Sequence, residues 1–84
     1  MSHTPHELVA ELPEYAERIH SLKSTNQHFA RLAESYHEVN REIHRIASEI
    51  EHASDEHVEA LKKQRLLLLD QCRAVLAETE NTGA

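Results

Sequence analysis

The residues of this chain whose types could do chemistry are its histidines, its one cysteine and the basic run Lys62-Lys63-Gln64-Arg65. There are eight histidines: His3, His6, His20, His28, His37, His44, His52 and His57. A metal site on a helix needs two His at i, i+3 or i, i+4 on one face. Only His3 and His6 meet that spacing, with Pro5 between them. From His20 to His52 the gaps are 8, 9, 7 and 8 residues, which scatters the rings over mostly outer helix positions. Solvent-exposed histidines are the favoured reading, ahead of adventitious zinc or nickel binding. No metal site and no cofactor are expected. Protonating all eight would take the formal charge from −6 to +2, so association could respond to pH near the ~6.5 reference value of histidine.

Cys72 is alone, so it cannot form an internal disulfide, and a reduced, cytoplasmic setting is the simplest reading. With no positioned His or Asp beside it, it is a poor nucleophile candidate and reads as a small hydrophobe. The chain has no Gly-rich phosphate loop and no triad arrangement, so no catalytic residue is assigned and no enzymatic activity is expected. Nine basic residues stand against fifteen acidic ones. The imbalance is even: +2 and −4 in residues 1–26, +3 and −5 in 27–53, +4 and −6 in 54–84. No third is basic, which argues against a nucleic-acid or anionic-membrane partner. The 62–65 cluster reads as a solvated helix face, with an RNA-associated accessory role as the alternative. No run reaches the ~18 apolar residues of a membrane span, and the first residues lack the basic and apolar regions of a signal peptide.

The elements that must position these residues are helices. One Gly (Gly83) and two Pro (Pro5, Pro13) leave 14–82 without either strong breaker, so the fold class is all-α. Thr4, Pro5 and Glu7 fit a capping box, but Pro13 strains any helix continuing through it, so 1–12 is expected to be frayed or flexible. A helix over about 13–23 carries the stripe Tyr15, Ile19 and Leu22. Ser24, Thr25 and Asn26 are good N-caps, which favours a break at 24–26. The apolar phase nevertheless runs on from Leu22 through Asn26 to Phe29, as in an unbroken helix.

Phe29, Leu32, Tyr36, Val39, Ile43, Ile46, Ile50 and Ala53 then alternate +3 and +4, a coiled-coil seam that predicts a helix over about 27–53. Ala33, Asn40 and Ala47 occupy the flanking e positions, small enough to admit another helix. Ser54 suits an N-cap, with Asp55 and Glu56 in the first turn, so a tight turn at about 53–55 starts a helix over about 55–78. Its seam is Val58, Leu61, Arg65, Leu68, Cys72 and Val75, widened by Leu69 and Leu76. Residues 80–84 read as a disordered tail. The architecture expected is an antiparallel, coiled-coil-like helical hairpin, preceded by a shorter N-terminal helix, in one domain over 13–79.

Arg65, at a seam position, and Asn40, at a flanking e position, are polar residues that could set register. The Arg65 stem is expected to pack on Ile43, with its guanidinium reaching Glu42 or a partner chain. Four leucines in a row, Leu66 to Leu69, go most of the way round a helix. Leu68 and Leu69 face the hairpin partner; Leu66 and Leu67 need the 13–23 helix (Tyr15, Ile19, Leu22) or a second chain. The expected protein is therefore a small interaction or scaffold module that self-associates, a dimer being favoured, with an unidentified protein partner. A third possibility is a pH- or metal-responsive regulator using the histidines.

Three stretches also resemble a known family. These are IHSLKSTNQHFARL (19–32), ESYHEVNREIHRIA (34–47) and ASDEHVEALKKQRLLLLDQ (53–71). They resemble the YdcH-like family of short bacterial proteins of unknown function over about two thirds of the chain. The resemblance rests on L-K-x-x-N-x-H-F, on Y-x-x-x-N-x-x-I and on S-D-E followed by L-K-K-x-R-L-x-L-x-D. It implies a helical hairpin with an uncharacterised role, and it favours the break at Asn26, where relatives carry Asp or Asn. The first dozen residues and the eight histidines depart from the family pattern, so nothing about them carries over.

Overall fold

The computed structural model describes the backbone of residues 7–49 and 52–82, with side chains through Glu78. It is all-helical, with no strand among the described residues. The order is α1 (Leu8–Glu11), a 3-10 turn (Pro13–Tyr15), α2 (Ala16–Thr25), α3 (Gln27–Ala47) and α4 (Asp55–Thr82). Thr4, His3, His6 and Ile50 lie outside the described residues.

The N-terminal segment departs from expectation. Glu7 to Leu12 is one packed helical turn, and Leu8 and Leu12 are among the most deeply buried side chains. Pro13 does not fray it, because the chain has already left the helix at Leu12 (φ −128°, ψ 62°), as the residue before a proline prefers. Pro13 then opens the 3-10 turn, where its missing N–H costs nothing. The Tyr15 N–H donates to the Leu12 carbonyl at 3.0 Å. Leu8, Leu12, Tyr15, Ile19 and Leu22 thus continue one +4, +3 stripe across the proline.

α2 and α3 are separate helices. Asn26 is extended (φ −131°, ψ 106°), and its Oδ1 accepts from the Phe29 N–H at 3.0 Å. This side-chain cap satisfies one of the orphan donors of α3. The same residue receives the last bond of α2, its N–H donating to the Leu22 carbonyl.

α3 ends at Ala47, six residues short of the expected 53. Ser48 and Glu49 form a turn in which Glu49 takes a left-handed φ of 63°. That conformation closes helices by returning N–H groups to the last carbonyls: Ser48 donates to His44 at 2.9 Å and Glu49 to Ile46 at 3.0 Å. The position usually belongs to Gly, and Glu holds it at a cost of roughly 1 kcal/mol. The connection therefore spans 48–54 rather than two or three residues, and Ala53 is exposed outside any helix. α4 begins where Ser54 Oγ accepts from the His57 N–H at 3.1 Å. Asp55 and Glu56 supply negative charge to its first turn. It runs to Thr82, beyond the expected 78, so residues 80–82 are helical rather than part of a disordered tail.

The core is built round α3. Phe29, Ala33, Tyr36, Val39, Asn40 and Ile43 are buried on it. α4 contributes Leu61, Leu68, Leu69, Cys72 and Leu76, and the N-terminal elements contribute Leu8, Leu12 and Ile19. Burial on α3 spreads from the a/d seam to Ala33 and Asn40 at e, because α1 and α2 as well as α4 pack on this helix. Leu32, Ile46, Val75, Tyr15 and Leu22 are only partly buried at the margins, as is Val58.

The cap at Asn26 generates a direct test. Asn26→Ala is expected to destabilise the fold by about 1 kcal/mol and Asn26→Ser by much less, measured by urea unfolding monitored with circular dichroism.

Candidate functional site

Among the described residues no group of three or more His, Cys, Asp or Glu side chains is placed to hold a metal ion. His20, His28, His52 and His57 are exposed, whereas His37 and His44 are partly buried. His57 Nε2 lies 3.1 Å from Glu42 Oε2, joining the beginning of α4 to α3. This exposed pair contributes little to stability. It also occupies Glu42, one of the two destinations expected for the Arg65 guanidinium, the other being a partner chain.

Arg65 instead turns inward. Its Nη1–H donates to Asn40 Oδ1 at 2.8 Å. Asn40 is 1 % exposed, the one buried polar residue of the core among the described residues. A polar side chain so enclosed is tolerated only when its hydrogen bonds are made, and among the described residues no buried side-chain nitrogen or oxygen is left unsatisfied. This charge-assisted bond links α4 to α3 at the core margin.

Tyr36 and His37 stack edge to face beside this bond, ring centroids 6.1 Å apart at 78°. Burial raises the Tyr36 hydroxyl above its ordinary value, and Glu11 adds to the shift. Burial lowers His37, reinforced by the cations Lys23 and Arg41 and opposed by Glu7. Cys72 is fully buried and its thiol is pushed up to about 11 by desolvation. It packs as a hydrophobe, and the thiolate a nucleophile needs is suppressed.

A cavity of about 440 Å³ is an open notch lined by Lys23 of α2 and by Ala33, Glu34, His37, Glu38 and Arg41 of α3, among others. Its two carboxylates and two cations balance, so it selects no ligand by charge. Lys62, Lys63 and Gln64 are exposed on α4.

The two leucines that sequence reasoning could not place within one hairpin stand out. Leu66 and Leu67 are 59 % and 58 % exposed, while Leu68 and Leu69 beside them are buried. The N-terminal helices do not cover them: Ile19 is buried, with Tyr15 and Leu22 partly so, in the core round α3. Sequence reasoning missed Leu8 and Leu12, although their +4 spacing ahead of Tyr15 and Ile19 was a usable signal. It also missed Asn40 as the acceptor of Arg65, which spacing alone does not reveal.

The Arg65–Asn40 bond and partly buried His37 each generate a test. Arg65→Leu is expected to cost about 1–3 kcal/mol by removing the donor from buried Asn40, whereas Arg65→Leu with Asn40→Leu costs less than the sum of the single changes; denaturant melts of the four chains measure this. His37, lowered in the fold, binds its proton more readily when unfolded. Its contribution therefore reduces stability as pH falls through and below 6.5. Thermal melts between pH 7.5 and 5.5 are expected to show a smaller loss for His37→Gln than for the parent chain.

No curated protein and no solved structure shows significant similarity to the chain. The family model described as protein of unknown function (DUF465) matches residues 29–74, which is most of α3, the connection and most of α4. That span is more than half of the chain, and it contains Asn40, Arg65 and the leucine run. The chain belongs to this family, the YdcH-like group of small bacterial proteins of unknown function.

Proposed function

We propose that the chain is a small, non-enzymatic interaction or scaffold module of the reducing cytoplasm, built as an antiparallel helical hairpin behind a shorter N-terminal segment, and that it works as a self-associated dimer. The hairpin reading is supported by the order of the cross-helix contacts. Glu42 meets His57 near the connection, and Asn40 meets Arg65 further from it. The pattern expected when two helices run back along each other is that one number falls as the other rises.

The observation that carries self-association is the exposure of Leu66 and Leu67. Exposed apolar residues scattered singly are ordinary. Two adjacent leucines in the middle of a 28-residue helix, on the side away from the core, form a patch instead. The scaffold role rests on what the surface offers, which is long helix faces, one leucine patch and a charge-balanced notch. It would act on another protein through surface complementarity rather than chemistry. Buried Cys72 suits a reducing compartment.

Sedimentation velocity at tens of micromolar chain is expected to give a species of twice the chain mass that dissociates on dilution. Leu66→Glu with Leu67→Glu is expected to give a folded monomer under the same conditions. A single-chain species from the parent protein would overturn the dimer.

A further inference from the structure

The outward face of α4 carries a charge pattern that is its own complement when the helix is reversed. Around a helix at about 100° per residue, Lys63 lies diametrically opposite buried Cys72, and Asp70, Leu66 and Leu67 all fall within about 60° of Lys63. Leu66 and Leu67 flank the centre line of this face, and Lys63 and Asp70 lie near it, one turn to either side of the leucines. All four are exposed. Glu59 and Arg73 lie on the same side a further turn out, also exposed.

We propose that a second copy of the chain docks on this face, α4 against α4, antiparallel, with the two-fold axis passing between Leu66 and Leu67. The inference rests on the self-association proposed above and specifies its geometry. A dyad at that point maps each height on the helix to its mirror height. Leu66 and Leu67 then each meet their own counterparts, closing a four-leucine cluster at the centre. Lys63 and Asp70 are each three and a half residues from the axis, about 5 Å along the helix, so Lys63 faces the partner's Asp70 and Asp70 faces the partner's Lys63. Glu59 and Arg73 lie at nearly equal heights on opposite sides of the axis, so Arg73 faces the partner's Glu59. Within one chain Asp70 already accepts from Arg73 Nη1 at 3.3 Å, which holds both side chains on this face.

Other pairings of the same face lose these matches. A parallel two-fold sets Lys63 on Lys63, Asp70 on Asp70 and Glu59 on Glu59. Moving the antiparallel axis one turn toward the C-terminus puts Lys63 opposite Ala77 and leaves the leucines opposite Ala74 and Arg73. The chain as a whole carries −6, which opposes association of like copies. Within about 100° of Lys63 this face holds, through Glu78, Lys62, Lys63 and Arg73 against Asp55, Glu56, Glu59, Asp70 and Glu78, a net −2, and its cations Lys63 and Arg73 lie at the heights of the partner's Asp70 and Glu59. It also carries Leu66 and Leu67, the two most exposed large hydrophobic side chains among the described residues.

Introduced cysteines test the geometry in the full chain, with buried Cys72 left in place and sedimentation run alongside. Under mild oxidation Leu67→Cys is expected to form a covalent dimer by itself. Lys63→Cys alone and Asp70→Cys alone are not, but mixed together they are expected to cross-link to each other. Lys63→Glu is expected to weaken the dimer about tenfold by setting like charges together at two places, and Lys63→Glu with Asp70→Lys to recover it. Self-linking of Lys63→Cys, or no link through Leu67→Cys in a chain that still sediments as a dimer, overturns this geometry while self-association stands. A parent chain that sediments as a monomer removes both.

Discussion

Everything in this structure stems from how little a helix can hide. A helix buries one stripe against a neighbour, and an 84-residue chain hides only about 60 % of the surface its unfolded form exposes. α3 escapes the limit, because α1 and α2 as well as α4 pack against it. Its buried set therefore reaches from the a/d seam round to Ala33 and Asn40. α4 has no such second cover along its middle. It packs Leu61, Leu68, Leu69, Cys72 and Leu76 inward and carries Leu66 and Leu67 outward. The division of one leucine run between a core and a surface is the structural fact from which the functional reading grows.

A core this narrow also needs something besides apolar contact to choose its register. Aliphatic side chains on two long helices can be slid by a turn with modest loss. The Arg65–Asn40 bond is directional, and breaking it would cost a charge-assisted bond to a buried amide. The exposed His57–Glu42 pair lies nearer the connection but is open to solvent and contributes little to that choice.

Much of this was legible in the residues, and the failures have physical causes. The buried stripe of α3 lay in the +3, +4 rhythm of Phe29, Tyr36, Val39 and Ile43. The break at Asn26 lay in a side chain able to accept from an N–H three residues on. The end of α3 was not legible, since the apolar rhythm continues through Ile50 and Ala53 while the left-handed turn falls on Glu49, a residue that does not advertise it. Leu8 and Leu12 were hidden by Pro13, whose helix-breaking effect masks the resumption of the stripe, in phase, beyond it. Of the two destinations expected for Arg65, Glu42 or a partner chain, Glu42 lies against His57 while Arg65 reaches Asn40. No residue pattern pointed to a reaction, and the family to which the chain belongs has no assigned role to lend it.

The central claim is that α4 has two apolar faces, one closed within the chain and one closed only by association. A dilution series with methyl-labelled leucines, monitored by NMR, tests it most directly. The account predicts that the Leu66 and Leu67 methyl signals move with chain concentration from millimolar to micromolar while those of Leu68 and Leu76 stay fixed. Leu66 and Leu67 signals that do not change over that range, or changes spread equally over the buried leucines, would contradict it.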